Sequence, residues 1–229
     1  MILERKIGWA LGLGMAMAFS SAGANEPGWY IGLNAGQSQA DVNKDELDAV
    51  VDDAFFFAGA PITSGSSSLE DSDTAWSVFG GYRLNPFIAF EAGYANLGTA
   101  EYRASGTINP PGPVASAPAN FNADFEVTGF TVAAIGSIPI NDMFGLHARV
   151  GVLFSDTEIT LTGGSGTVSV SETFSASAQD LFYGVGAALH LGGNWSLNLD
   201  YQLYKDVGDE EETGETDVDS ITLAAIFRF

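Results

Sequence analysis

From Gly28 onward the chain repeats one pattern: segments of about ten residues in which bulky apolar and small or polar side chains alternate, set apart by turn residues. A period of two sends successive side chains to opposite faces of a β-strand, so each segment has a bulky face and a small one. Gly28–Ser38 puts Trp29, Ile31, Leu33 and Ala35 opposite Gly32, Asn34, Gly36 and Ser38. Thr74–Leu84 sets Trp76, Val78 and Tyr82 against Ala75, Ser77, Phe79, Gly81 and Arg83. Phe87–Leu97 sets Ile88, Phe90, Ala92 and Tyr94 against Ala89, Glu91, Gly93 and Ala95. The same alternation recurs in Thr128–Ile138, Phe144–Ser155, Leu181–Leu191, Trp195–Tyr204 and Val218–Phe229, so eight strands are predicted. No stretch of this region supplies the roughly 18 apolar residues of a spanning helix.

The breakers agree with these boundaries. Proline cannot donate to a sheet ladder, and all eight prolines lie outside the segment interiors. Connections alternate in length. Asn85-Pro86, Pro139–Met143 and Gly192-Gly193-Asn194 are tight-turn compositions, whereas Gln39–Asp73, Gly98–Asp124, Asp156–Gln179 and Lys205–Asp217 are long. This is an up-and-down meander with its long loops at one end. Because a meander must close or leave edges, the predicted fold class is all-β, an eight-stranded antiparallel barrel.

Which face points outward decides between a soluble and a membrane barrel. The small face is Gly, Ala, Ser, Thr and Asn with Arg83, Glu91, Arg149 and Asp200 spaced singly along it, which suits the crowded interior of an eight-stranded barrel. The bulky face carries no charge through its middle and has Trp29, Trp76, Tyr82, Tyr94, Tyr183, Trp195 and Tyr201 toward its ends, like the aromatic girdles of an outer-membrane barrel. A ten-residue strand at about 3.4 Å per residue, tilted by about 40°, spans roughly 25 Å, the thickness of an outer-membrane apolar band. The bulky face is therefore expected to meet lipid, and the protein to be a transmembrane barrel.

The first residues read as an address. Arg5 and Lys6 precede an uncharged run, Ile7–Phe19, and small residues follow at Ala22 and Ala24. That is the pattern of a secretory signal peptide, with cleavage expected after Ala24 to leave a barrel of residues 25–229. The leader's Glu4, Arg5 and Lys6 sum to +1, so its removal takes the net charge from −21 to −22. With eight Lys and Arg against 29 Asp and Glu, nucleic acid is not an expected partner. The absence of cysteine excludes disulfides and Cys-ligated metals.

The string Phe79-Gly80-Gly81-Tyr82-Arg83-Leu84-Asn85-Pro86-Phe87, followed by Phe90-Glu91-Ala92-Gly93-Tyr94 and Leu97-Gly98, resembles the second hairpin of the OmpA-like outer-membrane β-barrel family. Trp29-Tyr30 with Gly32, Pro139-Ile140, Arg149-Val150-Gly151 and Asp200-Tyr201-Gln202 extend the resemblance along the whole barrel. It implies both termini in the periplasm, long loops outside the cell, and roles in envelope integrity, adhesion, surface recognition or low-conductance pores. Full-length members append a peptidoglycan-binding domain. Since the sequence ends at Phe229, that function is not expected here. The family's interior gate pairs a glutamate with basic residues. Glu91 stands at the matching glutamate, but Asn198 occupies the matching arginine position, and the other two gate positions fall near the uncharged Ile135 and Ala188. A plugged lumen is the expectation.

The remaining candidates have plain readings. If Arg83 pairs with Ala89 and Gly81 with Glu91, then Arg83 and Glu91 are diagonal neighbours on the inner face, with Gly81 leaving room between them. Arg149 and Asp200 are other potential partners. His147 and His190 are expected as interior polar filler, since no motif supports Ser196 and His190 as part of a catalytic arrangement. The four long loops hold 21 acidic residues without calcium-loop spacing, so no metal or cofactor is expected. Within loop one, Asp45–Phe57 is a candidate amphipathic helix with an apolar Phe55-Phe56-Phe57 tip. The alternating end of the chain, through Phe227 to Phe229, matches the signal read by the barrel-assembly machinery. Taken together, these features predict a monomeric, non-catalytic outer-membrane barrel. Its predicted partners are membrane lipids, lipopolysaccharide and a possible surface ligand held by the loops. A small pore is the alternative and a lipid-modifying enzyme a distant third.

Overall fold

The computed structural model describes residues 26–57, 59–109, 115–165, 168–209 and 213–229. The expected leader, Pro110, Pro111, Pro113 and Glu210, Glu211 and Glu212 lie outside the described residues. Nine strands and one helix follow one another: β1 (Gly28–Ala40), α1 (Lys44–Phe57), β2 (Ile62–Glu70), β3 (Ser72–Asn85), β4 (Ile88–Ile108), β5 (Ala117–Pro139), β6 (Phe144–Ser165), β7 (Val168–Gly192), β8 (Trp195–Asp209) and β9 (Gly214–Arg228).

Eight of the strands form a ring, β1-β3-β4-β5-β6-β7-β8-β9, entirely antiparallel and neighbour to neighbour. It closes where β1 meets β9, from Tyr30↔Arg228 to Ala40↔Val218, with the Phe229 N–H donating to the Trp29 carbonyl at 3.0 Å. The three short turns are built as their compositions suggest. The Asn85 side chain accepts from the N–H groups of Phe87 and Ile88 at 2.8 and 3.0 Å. Asn141 does the same for Met143 and Phe144 at 2.9 and 2.8 Å. Gly192 and Gly193 both take positive φ, 89° and 59°. Asn side chains that mimic a turn carbonyl and glycines free of the Cβ penalty are the two standard ways to reverse a chain this tightly.

The ninth strand, β2, was not foreseen. It pairs with β4 beyond the point where β3 leaves it: β3 covers Ile88 to Asn96, and β2 covers Glu101 to Ile108. Together β2 and β3 act as one stave interrupted at Asp71. The hand-over coincides with a bulge in β4, where Gly98 has φ +86°, the Gly98 N–H bonds the Asn96 side chain at 2.7 Å, and the Thr99 N–H bonds the Asp73 carboxylate at 2.9 Å. One extra residue in the strand demands a left-handed backbone there, which glycine supplies.

The segments expected as loops two and three are largely strand. β4 pairs with β5 out to Ile108↔Ala117, and β6 with β7 out to Ser165↔Val168. The ladder continues because a hairpin already in register adds each further pair without a new loop closure. What changes above the band is the side-chain chemistry, which turns to Ser, Thr, Asn and acids and erases the apolar alternation. There the ring opens into a free-standing sheet, β2-β4-β5-β6-β7, because β1 stops at Ala40 and the β8–β9 hairpin is short.

The expected helix is present as α1, starting one residue earlier. Asn43 caps it, its side-chain oxygen accepting from the Asp45 N–H at 2.9 Å while its side-chain amide donates to Glu46 at 3.3 Å. The helix docks on the sheet through buried Val51, Lys44 to Ser67 at 2.6 Å, and Tyr102 donating to Asp48 at 2.6 Å. Lys44, Ser67 and Tyr102 hold the Asp48 carboxyl down at about 2. Burial, reinforced by Asp48, pushes the Tyr102 phenol up to about 12. Of the apolar tip, Phe56 and Phe57 are exposed.

The bulky face points outward on every strand of the ring: Trp29, Leu33, Val78, Phe90, Val132, Val150, Val185, Leu199 and Leu223 are all exposed. Edge-on aromatic pairs mark both rims, Trp29–Tyr82 and Trp195–Phe227 near the short turns and Tyr94–Phe130 near the long extensions. At the β1–β9 seam, a Cβ on Gly36 would overlap the Ile221 carbonyl and lie 2.7 Å from the Thr222 Cα, whereas one on outward-facing Gly136 meets nothing within 4 Å. Gly36→Ala should therefore cost about 1–3 kcal/mol, read as a lower unfolding midpoint of the detergent-folded barrel, while Gly136→Ala should leave the midpoint unchanged.

Candidate functional site

Inside the ring one rule places most of the large side chains through the middle of the band: each lies across the ladder from a glycine. Tyr30 is opposite Gly81, Phe79 opposite Gly32 and Gly93, Glu91 opposite Gly81, His147 opposite Gly186, Arg149 opposite Gly184, and Phe182 opposite Gly151. Gln202 and Asp200 face Gly184 and Gly186 from the other side. An eight-stranded ring leaves an interior just wide enough for side chains to fill, so glycines beside the large ones make the room they need.

These side chains form layers. At the end bearing the extensions, Leu97, Val127, Leu153, Val207 and Val218 are buried as an apolar stopper. Below it Phe182 stacks on Tyr204, centroids 5.0 Å apart. Next comes the ionic layer. Arg149 Nη2 bonds Glu91 Oε2 at 2.9 Å, with the two side chains only 8% and 9% exposed. Tyr30 donates to Glu91 Oε1 at 2.9 Å, Arg149 Nη1 reaches the Gln202 carbonyl oxygen at 3.4 Å, and the guanidinium lies 5.8 Å from the Phe79 ring centroid. Asp200 pairs with His147 at 2.5 Å. Cavities of about 20 and 30 Å³ flank the Glu91–Arg149 pair, on the outer side beside Phe79, Phe182 and Tyr204 and on the short-turn side beside Arg83, His190 and Arg228. Each has room for one or two waters.

The expected diagonal contact between Arg83 and Glu91 is not made, although its register, Arg83↔Ala89 and Gly81↔Glu91, is. The space over Gly81 holds the Tyr30 ring instead. Arg83 turns toward the turn, donating to the Pro86 carbonyl at 3.3 Å, and Glu91 takes its cation from β6. Asn198, Ile135 and Ala188 lie around the short-turn cavity, so Arg149 supplies the positive charge that those positions lack. At that mouth His190 Nδ1 is 3.2 Å from Ser196 Oγ and 3.4 Å from Arg228 Nη2. Serine and guanidinium thus share one ring nitrogen, and a cation beside the imidazole disfavours the imidazolium that a serine–histidine couple would have to form. Among the described residues no group of three or more His, Asp or Glu is arranged to hold a metal ion. Tyr30, Phe182 and Tyr204 carried no sequence signal of their own; Gly81 opposite Tyr30 and Gly151 opposite Phe182 did, once the register is known, whereas Tyr204 is placed by its pairing with Phe182.

A buried ion pair is costly to break because removing one partner strands the other's charge. Arg149→Met should destabilise the folded barrel by about 3–5 kcal/mol, and the double variant Glu91→Gln/Arg149→Met should recover most of that loss in urea unfolding from lipid vesicles. Equal losses in the single and double variants would mean that the pair itself contributes nothing.

With this geometry in hand, relatives can be placed beside it. The family model described as OmpA-like transmembrane domain matches residues 24–229. Outer membrane protein A of Serratia marcescens is 25% identical over 225 residues, covering 96% of this chain and 55% of that protein. The chain spans about half the length of the curated relatives it matches, such as that of Shigella flexneri, where the share is also 55%. Among solved structures, the attachment invasion locus protein Ail of Yersinia pestis aligns over 89% of this chain and all of its own, with 15% identity and a TM-score of 0.47. Neisserial surface protein A aligns over 88% of this chain and 97% of its own, with 13% identity and a TM-score of 0.48. A ring of eight antiparallel strands with an apolar outer band, together with a family match over nearly the whole chain, makes this protein an outer-membrane β-barrel belonging to the OmpA-like transmembrane domain family.

Proposed function

We propose that this protein is a non-catalytic barrel with a closed lumen, and that its work is done by the acidic wall raised beyond the membrane, in contact with surface ligands or neighbouring envelope components. The observation that carries this reading is the occupied interior: an apolar stopper, a stacked aromatic pair and the Glu91–Arg149 pair lie in series, with cavities of only about 20 and 30 Å³ on the two sides of the ion pair. A continuous water path would require Glu91 and Arg149 to part, leaving two charges unpaired in a low-dielectric interior. The pore alternative is disfavoured on that ground, and the lipid-modifying alternative by the company of Arg228 beside His190.

In this reading the short-turn end and both termini face the periplasm, and the extensions of β4 to β7, with α1 and β2, face outward. Membrane lipids and lipopolysaccharide surround the band. After removal of residues 1–24, Phe227 and Phe229 on the outward edge of β9 serve as the assembly signal, packed 5.3 Å apart beside Trp195. Folded into detergent and added to a planar bilayer at neutral pH, the protein should insert without stepwise currents, and Glu91→Gln/Arg149→Met should not open it, because the aromatic layer remains. Discrete, reproducible conductance steps from the native chain would transfer the proposal to the pore class.

A further inference from the structure

Above the membrane band, β7 has a partner on one side only. Its ladder with β6 runs the full length, Ser165↔Val168 to Phe144↔Leu189, but its ladder with β8 ends at Phe182↔Tyr204. Past Tyr204 the β8–β9 hairpin swings away, with Asp206 at φ 50° and Gly208 at φ 117° and a register shift between Tyr204 and Val207. The backbone of β7 outside Phe182 is therefore a free edge, in which every second residue presents an N–H and a C=O to the gap. The edge carries neither lysine nor proline between Ser169 and Leu181, and its charges there, Glu172 and Asp180, are acidic, so they repel acidic strands and admit basic ones.

The gap is also a chemical site. A cavity of about 650 Å³ lies between β7 and the hairpin, bounded by Asp180, Asp206, Asp209 and Glu215, with Val150, Leu181 and Tyr183 on its membrane side. Asp180 is only 4% exposed, and its Oδ2 has no hydrogen-bond partner, although the residue borders this cavity. A buried carboxylate oxygen without a donor is an acceptor awaiting one. Lys205, the cation in the gap, is already paired with Asp217. The described residues form no three-ligand cluster for a metal ion; the Ser155 hydroxyl and the Gly208 N–H face the Asp180 carboxylate, and the oxygen left over, beside a cavity ringed by acids and an unpaired strand edge, suits the N–H groups of an organic cation.

We infer that the free edge of β7 and the acidic cavity beside it together form a docking site for an extended basic peptide segment, which adds as a strand along β7 and places alternate Lys or Arg side chains toward Asp180 and Glu215. Main-chain bonds to an edge give affinity, and alternate side chains entering pockets give selectivity. Because side chains of an added strand alternate between faces, the intervening residues lie over the outward side, near Gln179 and Leu181, and should be uncharged. This inference rests on the surface-interaction reading above and names the class of partner.

The test uses the full barrel in lipid nanodiscs and a fluorescent peptide of alternating Lys and Thr, alongside two copies N-methylated at all Lys or at all Thr positions. N-methylation on one side of a strand blocks pairing through that edge alone, so exactly one methylated copy should lose affinity, by about tenfold or more, since several main-chain bonds are removed together. Asp180→Asn and Glu215→Gln should each weaken the unmethylated peptide severalfold, with Asp52→Asn on α1 as a neutral control and gel mobility before heating confirming that each variant is folded. Equal binding by all three peptides would overturn the inference while leaving the acidic surface as a generic cation attractor. No binding of any of them at low salt would overturn both the inference and the surface-interaction reading.

Discussion

Lipid offers backbone groups no hydrogen-bond partner, so a chain that crosses it with strands must close its ladder on itself. Nearly every other feature of this molecule follows from that closure. Closing eight strands fixes a narrow lumen. A narrow lumen requires that one face of every strand be small, and the lipid outside requires that the other be bulky and uncharged. The pairing of β1 with β9 completes the ring, with a glycine at the point of closest approach. Where the lipid ends, the requirement lapses, and so does the ring: β4 to β7 continue as an open sheet with a free edge.

The lumen shows how charge is accommodated once space is limiting. Glu91 sits where the family places a gating glutamate, yet its counter-charge comes from Arg149 on β6 rather than from the β8 position, which is Asn198. The substitution preserves neutrality at that level and adds a phenol, Tyr30, and an aromatic face, Phe79. Stacked above it, Phe182, Tyr204 and the apolar stopper make the interior a core more than a channel. The function proposed above accordingly lies in the extensions and loops, where most of the acidic residues fall.

The outward face was legible because two patterns coincide: Trp29-Ile31-Leu33 or Leu181-Tyr183-Val185 alternates strictly, and the face opposite is small and sparsely charged, as a narrow lumen and not a water-facing surface requires. Turn chemistry at Asn85, Asn141 and Gly192-Gly193 was legible too. The outer extensions were not, because a stretch such as Ser169-Val170-Ser171-Glu172 meets water on both faces and carries no hydrophobic period. For Glu91 the residues offered both Arg83 and Arg149 as partners and did not choose between them. The pairing of Tyr30 with Gly81 comes from strands distant in sequence, and only their register reveals that Tyr30 takes the space left for Arg83. Glycines on the inner face were visible as small residues, but their role as receptacles for the residue opposite belongs to the ladder.

The account stands or falls on the orientation of the strands' bulky face. All three tryptophans among the described residues, Trp29, Trp76 and Trp195, lie on that face and are 59%, 43% and 53% exposed. Refolding the barrel into vesicles whose lipids carry bromine at defined depths along their acyl chains measures this directly. Quenching of all three tryptophans, strongest for bromine near the two interfaces and weak for an aqueous quencher, is the expected result. Emission indifferent to brominated lipid and quenched readily from water would show that the apolar face does not meet the membrane.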